Sequence, residues 1–343
     1  MCKITIKQAT DNDKELWDDY VNQHAEGTFF HLYGWKQALK KSFRHKCYYL
    51  YAYLDERIVG VLPLGHIKSL FFGNALISTP FAVYGGVLAD NNEVKDMLTE
   101  EACHLAESLN VDHLEIRNIK QQYPDWPNKE LYVYFKKELS DNDEDNLNAI
   151  PRKQRAMVRK GIKAGLQYDI SKDLDNFYQA YSESVRNLGT PVFAKKFFAS
   201  LIEVFDDQVD VLTVKKDEQL VASVLSFYYK EEVLPYYGGG TSAARQLKGN
   251  DFMYWALMQH SVTKGMKSFD YGRSKEGTGS YSFKKNWGFE PRPLFYEFYL
   301  VKATSIPDIN PLNPKYQRFI SIWQKLPLKL SQMLGPILSR DLG

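Results

Sequence analysis

The sequence predicts an α/β (α+β) protein built from two tandem units, each a mixed central sheet flanked by helices. Three observations predict it. A charged β-hairpin occurs twice, a strand ending in glycines follows each hairpin, and a helix and a further strand follow each of those. The chain has 343 residues, more than one ordinary core accommodates.

The hairpins come first. Tyr53 to Leu64, "YLDERIVGVLPL", reads as strand, charged turn, strand, and Val214 to Phe227, "VKKDEQLVASVLSF", repeats it. Asp55-Glu56 and Asp217-Glu218 mark the reversals, where charge is tolerated. "VYGGVLAD" (Val83 to Asp90) then parallels "PYYGGGTS" (Pro235 to Ser242), each read as a strand whose glycines let the backbone turn. Helices are predicted over Glu93 to Leu109 and Asn250 to Gly265, the second with an Asn or Asp N-cap and Gly265 as its stop. Strands follow at "VDHLEIR" and "KSFDYGR". A single mixed sheet with commonplace hairpins is the alternative, and four elements in one order argue for duplication. The expected division is 1–140, a linker and helix over 141–165, 166–303, and a helical tail over 304–343.

Composition narrows the function. With 44% hydrophobic and 25% charged residues the chain reads as soluble and globular, and 23 Tyr and 20 Phe imply aromatic-rich cores or grooves. A net charge of +2 gives no global case for nucleic-acid binding, so any polyanion contact must be local. Cys2, Cys47 and Cys103 lack metal or redox spacing, and the seven histidines form no triad or metal pattern. The N-terminus lacks the apolar stretch of a signal peptide, and no apolar run is long enough to span a bilayer. The expected location is cytoplasmic.

The halves are joined by an acidic stretch, Asp141 to Asp145, and then by "IPRKQRAMVRKGIKAGL". Pro151 suits a first helical turn. Arg152, Lys153, Arg155, Arg159, Lys160 and Lys163 follow without an acid among them, and Arg152, Arg155, Arg159 and Lys163 share one helix face. That face is either solvated beside the acidic linker or binds phosphate. The unbroken run of one charge favours phosphate, and the guanidinium fork matches its oxygens.

The order of hairpin, glycine-ended strand, helix and strand is that of the GNAT N-acyltransferase fold, in which the central parallel strands splay apart. Taken together, "FHLYGWKQALKKSF", "IPRKQRAMVRKGIKAGL", "MKSFDYGRSKEGTG" and "FKKNWGF" resemble the FemABX family of tandem-GNAT aminoacyltransferases of bacterial cell-wall synthesis. "GNALISTPFAVYGGVLAD", "NLGTPVF" and "MLGPILSRDLG" are similar to a FemAB-like subgroup associated with exosortase/PEP-CTERM exopolysaccharide systems. The resemblance implies transfer from aminoacyl-tRNA to an amine on a nucleotide- or lipid-linked glycan precursor. It also implies a lysine, here Lys284, that stabilises the developing oxyanion. It implies no cofactor. Acyl-CoA, or another acyl thioester, stands behind aminoacyl-tRNA as an alternative donor. "RQLKGNDF" departs from the pyrophosphate loop of acyl-CoA users, because Asp251 stands where a small residue belongs and would repel phosphate.

Aminolysis of an activated ester needs a placed amine and positive charge where the oxyanion grows. Lys284 is the expected source of that charge, with Lys285 pointing away if the stretch is a strand. Asp270 accepts the amine proton or orients the acceptor; the alternative is that it satisfies turn amides before Gly272. Arg273 is expected to hold an anionic acceptor, Tyr281 to pack or hydrogen-bond across the cleft, and "SKEGTGS" to act as a lid. Trp35 and Lys36 are candidate acceptor contacts, with core packing the alternative for Trp35. Arg186 and Tyr237 complete the substrate-binding set with Arg152, Lys153 and Arg155. In the tail, Phe319, Ile320, Trp323, Leu326 and Leu330 form an apolar stripe on two short helices broken at Pro327, either packed on the body or touching the membrane face. A non-catalytic protein holding a glycan or RNA on the basic helix is the reading from another class.

Overall fold

The computed structural model describes residues 3–69, 73–307 and 314–342. Along the chain run β1 (Thr5–Gln8), α1 (Lys14–Gln23), α2 (Gly34–Phe43), β2 (Lys46–Leu54), β3 (Arg57–Ser69), β4 (Gly73–Ser78), β5 (Leu88–Ala89), α3 (Asn92–Ser108) and β6 (His113–Asn118). Then come β7 (Tyr132–Glu138), α4 (Asp143–Ala149), α5 (Arg152–Lys163), β8 (Gln167–Ser171), α6 (Leu174–Asn187), α7 (Lys195–Phe205), β9 (Val209–Lys216), β10 (Gln219–Tyr229) and β11 (Glu232–Gly240). The chain ends in α8 (Ser242–Leu247), α9 (Gly249–Thr263), β12 (Ser268–Lys275), α10 (Gly279–Asn286), β13 (Pro291–Pro293), β14 (Phe295–Leu300), α11 (Pro314–Trp323) and α12 (Leu328–Ser339).

Two compact units result. The first comprises Met1–Tyr132, Pro293–Asp308 and Arg340–Gly343, and the second Val133–Arg292 and Ile309–Ser339. The first holds a sheet of order β1-β2-β3-β4-β6-β14, with β5 on β3; the second holds β13-β7-β12-β11-β10-β9-β8. The predicted duplication is there: two helices, an antiparallel three-strand meander, a helix and a strand parallel to the meander's last strand occur in each. The closing strands are exchanged between the halves. β14, from the end of the second copy, pairs β6, and β7, from the end of the first, lies beside β12.

The hairpin prediction holds to the residue. Leu54 faces Arg57 across Asp55-Glu56, and Lys216 faces Gln219 across Asp217-Glu218. Asp55 and Glu56 both have positive φ, 47° and 63°, the geometry that matches strand twist in a two-residue turn. α3 begins as predicted, with Asn91 Oδ1 accepting from Val94 N at 3.0 Å. Two expectations fail. "VYGG" is no strand: the counterpart of β11 is β4, and the two glycines lie in the segment between β4 and β5. α9 starts from Lys248, which has a left-handed backbone (φ 60°), instead of an Asn or Asp cap.

Burial explains the second unit's core. β10 carries one run of buried residues from Val221 to Tyr229, as a central strand covered on both faces must. α9 is apolar nearly all round, burying Phe252, Met253, Trp255, Ala256, Leu257 and Met258. Trp287, Tyr271 and Phe135 join that cluster.

Candidate active site

β11 and β12 pair in parallel only at Glu232↔Ser268 and Val233↔Phe269, although they run nine and eight residues. Beyond those positions the strands part. The residues of interest gather on β12 after the parting.

Lys284 arrives there on a helix. The stretch read as a strand is α10: Thr278 caps it, Tyr281 N donating to the Thr278 side chain, and Gly288 ends it with φ 80°. A Thr and a Gly ten residues apart are start and stop signals, which the β-favouring Phe and Trp between them obscured. Successive helical residues diverge by about 100°, so Lys284 and Lys285 still separate. Lys285 is exposed, its ammonium 5.7 Å from the Tyr281 ring centre.

Lys284 Nζ donates to Gly272 O at 3.2 Å and Arg273 O at 2.9 Å. The Phe135 and Tyr271 ring centres lie 5.5 and 5.9 Å from it. The side chain is half-buried, but desolvation of the ammonium pulls its pKa from 10.5 to about 7; Asp270 opposes this shift and Arg273 adds to it. Two of three ammonium donors serve carbonyls, which leaves one for a ligand.

Asp270 is 2% exposed, and its Oδ1 accepts from Gly272 N at 2.6 Å. The turn-amide role is therefore present, alongside its charge interaction with Lys284. Gly272 has φ 66°, which glycine adopts without strain. Arg273, half-buried, bears on both Lys284 and Tyr237 electrostatically. Tyr237 is buried among Tyr181, Phe193, Phe197 and Phe198. Burial raises its pKa well above the ordinary value, and its hydroxyl has no hydrogen-bond partner among the described residues. Tyr271 carries a second such phenol. Tyr281 packs edge-on against Phe135, ring centres 5.6 Å apart.

The predicted lid is largely regular structure. Ser274 and Lys275 belong to β12 and Gly279 begins α10, so only residues 276–278 form a turn. Phe135 was not anticipated. It comes from β7, more than a hundred residues away, and only strand order reveals it.

Asp251 does not face a phosphate. It is buried in the first turn of α9, where it accepts from Gln154 and from Trp287 Nε1, the latter at 3.2 Å. Burial raises its pKa against those bonds. At the start of α8, Ser242 N donates to Glu183 Oε1 at 2.7 Å, so a carboxylate already occupies that amide.

The basic helix forms as predicted. Arg152, Arg155, Arg159, Lys160 and Lys163 line a depression of about 360 Å³, and Lys153 is exposed on the same helix. Arg155 donates to Asn148 O and Oδ1. None of these cations pairs with a carboxylate among the described residues, and Asp143 of the acidic stretch instead accepts from Gln259. Other candidates lie elsewhere. Trp35 is fully buried and donates to Pro80 O. Lys36 Nζ donates to Ala9 O at 2.8 Å and Tyr33 Oη at 2.6 Å, and burial lowers its pKa. Arg186 donates to Asn187 Oδ1 and Leu326 O. Cys47 and Cys103 are free thiols whose pKa values burial pushes up to about 12, too high for thiolate chemistry at neutral pH, and Cys2 lies outside the described residues. No cluster of metal-ligating side chains occurs among the described residues, and no described helix is long and apolar enough to cross a membrane.

Comparison with known proteins bears on the fold. Residues 152–285 match the family model described as an acetyltransferase (GNAT) domain. No curated protein matches the sequence. Among solved structures, FemX aligns with TM-score 0.66 at 14% identity, covering 92% of this chain and 100% of FemX. A tandem GNAT protein from the clavulanic acid biosynthesis pathway aligns at 0.57 and 11%, covering 88% and 100%. The L-PGS of Bacillus licheniformis aligns at 0.55 and 12%, covering 93% and 98%. At these identities the structural likeness speaks for the fold. The chain is a tandem GNAT-fold protein whose second unit carries the match to an acyltransferase domain.

Proposed function

We propose that this protein transfers an aminoacyl group from aminoacyl-tRNA to an amine on a cell-envelope precursor, of peptidoglycan or exopolysaccharide. The observation that carries the reading is Lys284: an ammonium beside two aromatic rings, bonded to two backbone carbonyls at the parting of β11 and β12, with one donor left. The neutral amine attacks the ester carbonyl. The carbonyl oxygen becomes an oxyanion that accepts from Lys284. The intermediate collapses, forming the amide and breaking the ester bond, and the proton the amine loses passes by way of Asp270 or water to the departing ribose oxygen, which leaves as the hydroxyl. Charge placed in advance in a water-poor site is worth about 3–4 kcal/mol of barrier.

The choice of donor rests on charge. Glu183 already occupies the Ser242 amide at the start of α8, one of the bare amides a CoA pyrophosphate would need. The α5 face offers five cations without carboxylate partners among the described residues, which suits a run of phosphates. The FemABX resemblance of the sequence implies a peptidoglycan-type acceptor. Arg273 is suited to an anionic group of the acceptor, and Tyr237 borders it.

The test is transfer to an amine acceptor from labelled aminoacyl-tRNA and from acyl-CoA, by wild type and Lys284→Ala. Transfer from aminoacyl-tRNA that Lys284→Ala lowers, with binding kept, is expected. Transfer from acyl-CoA alone replaces the donor. Tight RNA or glycan binding with no transfer by wild type leaves the binding-protein reading, which the uncompensated α5 face also supports.

A further inference from the structure

Helix α12 is mounted with its small, polar side inward. Ser331, Gly335 and Ser339 recur every four residues and are buried. Ser339 Oγ donates to Val192 O at 3.0 Å, and a Cβ on Gly335 would lie 2.8 Å from Val192 N, so the approach requires glycine. With that face turned in, the larger side chains turn out: Met333 is 63% exposed and Ile337 70%. α11 also turns large side chains outward, although its inward side is not small. Trp323 is buried and Ile320 reaches Gly189, while Phe319 and Ile322, 67% exposed, face solvent. Leu188, one residue before Gly189, is 69% exposed. Of eight large apolar side chains exposed among the described residues, these are five, all on elements packed around the end of α6. The sequence stripe is thus split, with Trp323 given to the body and Phe319 left bare beside residues outside the stripe. Lys325 and Lys329 lie exposed among these residues, with no carboxylate partner among the described residues.

We propose that this surface docks on the anionic face of a lipid bilayer. The side chains sit singly on two short helices and at the end of α6, and are fringed by cations. Such a face inserts about 5–10 Å at the headgroup boundary while its lysines meet lipid phosphates. The inference is independent of acyl transfer.

The test is co-sedimentation of the full chain with vesicles of phosphatidylglycerol and phosphatidylcholine at low salt. Binding is expected, and it should be lost with phosphatidylcholine alone and weakened by high salt. Ile322→Ser with Ile337→Ser should abolish sedimentation while leaving the thermal midpoint unchanged, since both side chains already face water. Lys325→Gln and Lys329→Gln should each weaken binding about fivefold. No sedimentation of wild type, or sedimentation unchanged in the serine pair, overturns the proposal. So does self-association that the serine pair abolishes without any vesicle binding, which would assign the surface to a second copy.

Discussion

The two units present the same topological position in different chemical states. In each, a parallel pair of strands follows the meander, and an arginine ends the second of the two stretches matched in the sequence: Arg117 in the first unit, Arg273 in the second. In the first unit the position is closed. Gly85 N donates to Arg117 O, Ser78 Oγ accepts from Arg117 N, and Arg117 Nη1 donates to Ala82 O at 2.9 Å. Its Nε meets Glu115 at 2.7 Å, with both side chains nearly buried. In the second unit the strands part, and the cation brought there has carbonyls and rings around it, with no carboxylate within ion-pair distance among the described residues. One cation is neutralised and serves the fold. The other has backbone carbonyls in place of an ion-pair partner, a charge costly to hold and useful to a reaction.

That contrast can be broken by exchanging the consequences. Arg117→Met should break the buried ion pair with Glu115 and cost about 3–5 kcal/mol of stability, read as a fall in denaturation midpoint, with turnover per folded molecule unchanged. Lys284→Ala should do the reverse, lowering turnover about 10²–10³-fold with little loss of stability. If Lys284→Ala unfolds the protein while Arg117→Met lowers turnover, the two roles are wrongly assigned.

The pH dependence sharpens the contrast. Lys284 releases its proton near pH 7 when folded and near 10.5 when unfolded. Between those values the unfolded chain holds a proton that the folded chain has lost, so this residue makes stability rise with pH across the window. Urea unfolding of Lys284→Met should lack that rise. Turnover should fall above about pH 7 as the cation is lost, and Lys284→Arg, which keeps its charge, should move that limb to higher pH. Smallest in effect, Arg155→Glu with Arg159→Glu should weaken RNA binding about tenfold and flatten its salt dependence, with transfer from a minimal aminoacyl ester unaffected.

Much of this was legible in the residues. The Asp-Glu turns carried their own geometry, and the α5 cations needed only their spacing. What escaped depended on distant partners. Nothing near Asp251 signals that Gln154 and Trp287 will claim it, and nothing near Lys284 signals Phe135. The helix over Gly279–Asn286 was misread because aromatic residues that favour strands also favour buried helix faces. The "VYGG" glycines were misread because a close backbone approach and a strand end use the same residue: a Cβ at Gly86 would meet Asn118 Oδ1 at 1.9 Å.

The exchange of closing strands bears on how the chain is made. β6 is complete by Asn118, yet its neighbour β14 begins at Phe295. Until the ribosome has delivered that segment, the N-terminal sheet has an open margin of unpaired amides and carbonyls. Early domain-wise folding during synthesis is thereby denied to the first unit, and a gene fragment ending before residue 295 should yield a sticky, unfinished sheet where a free-standing domain would be sought.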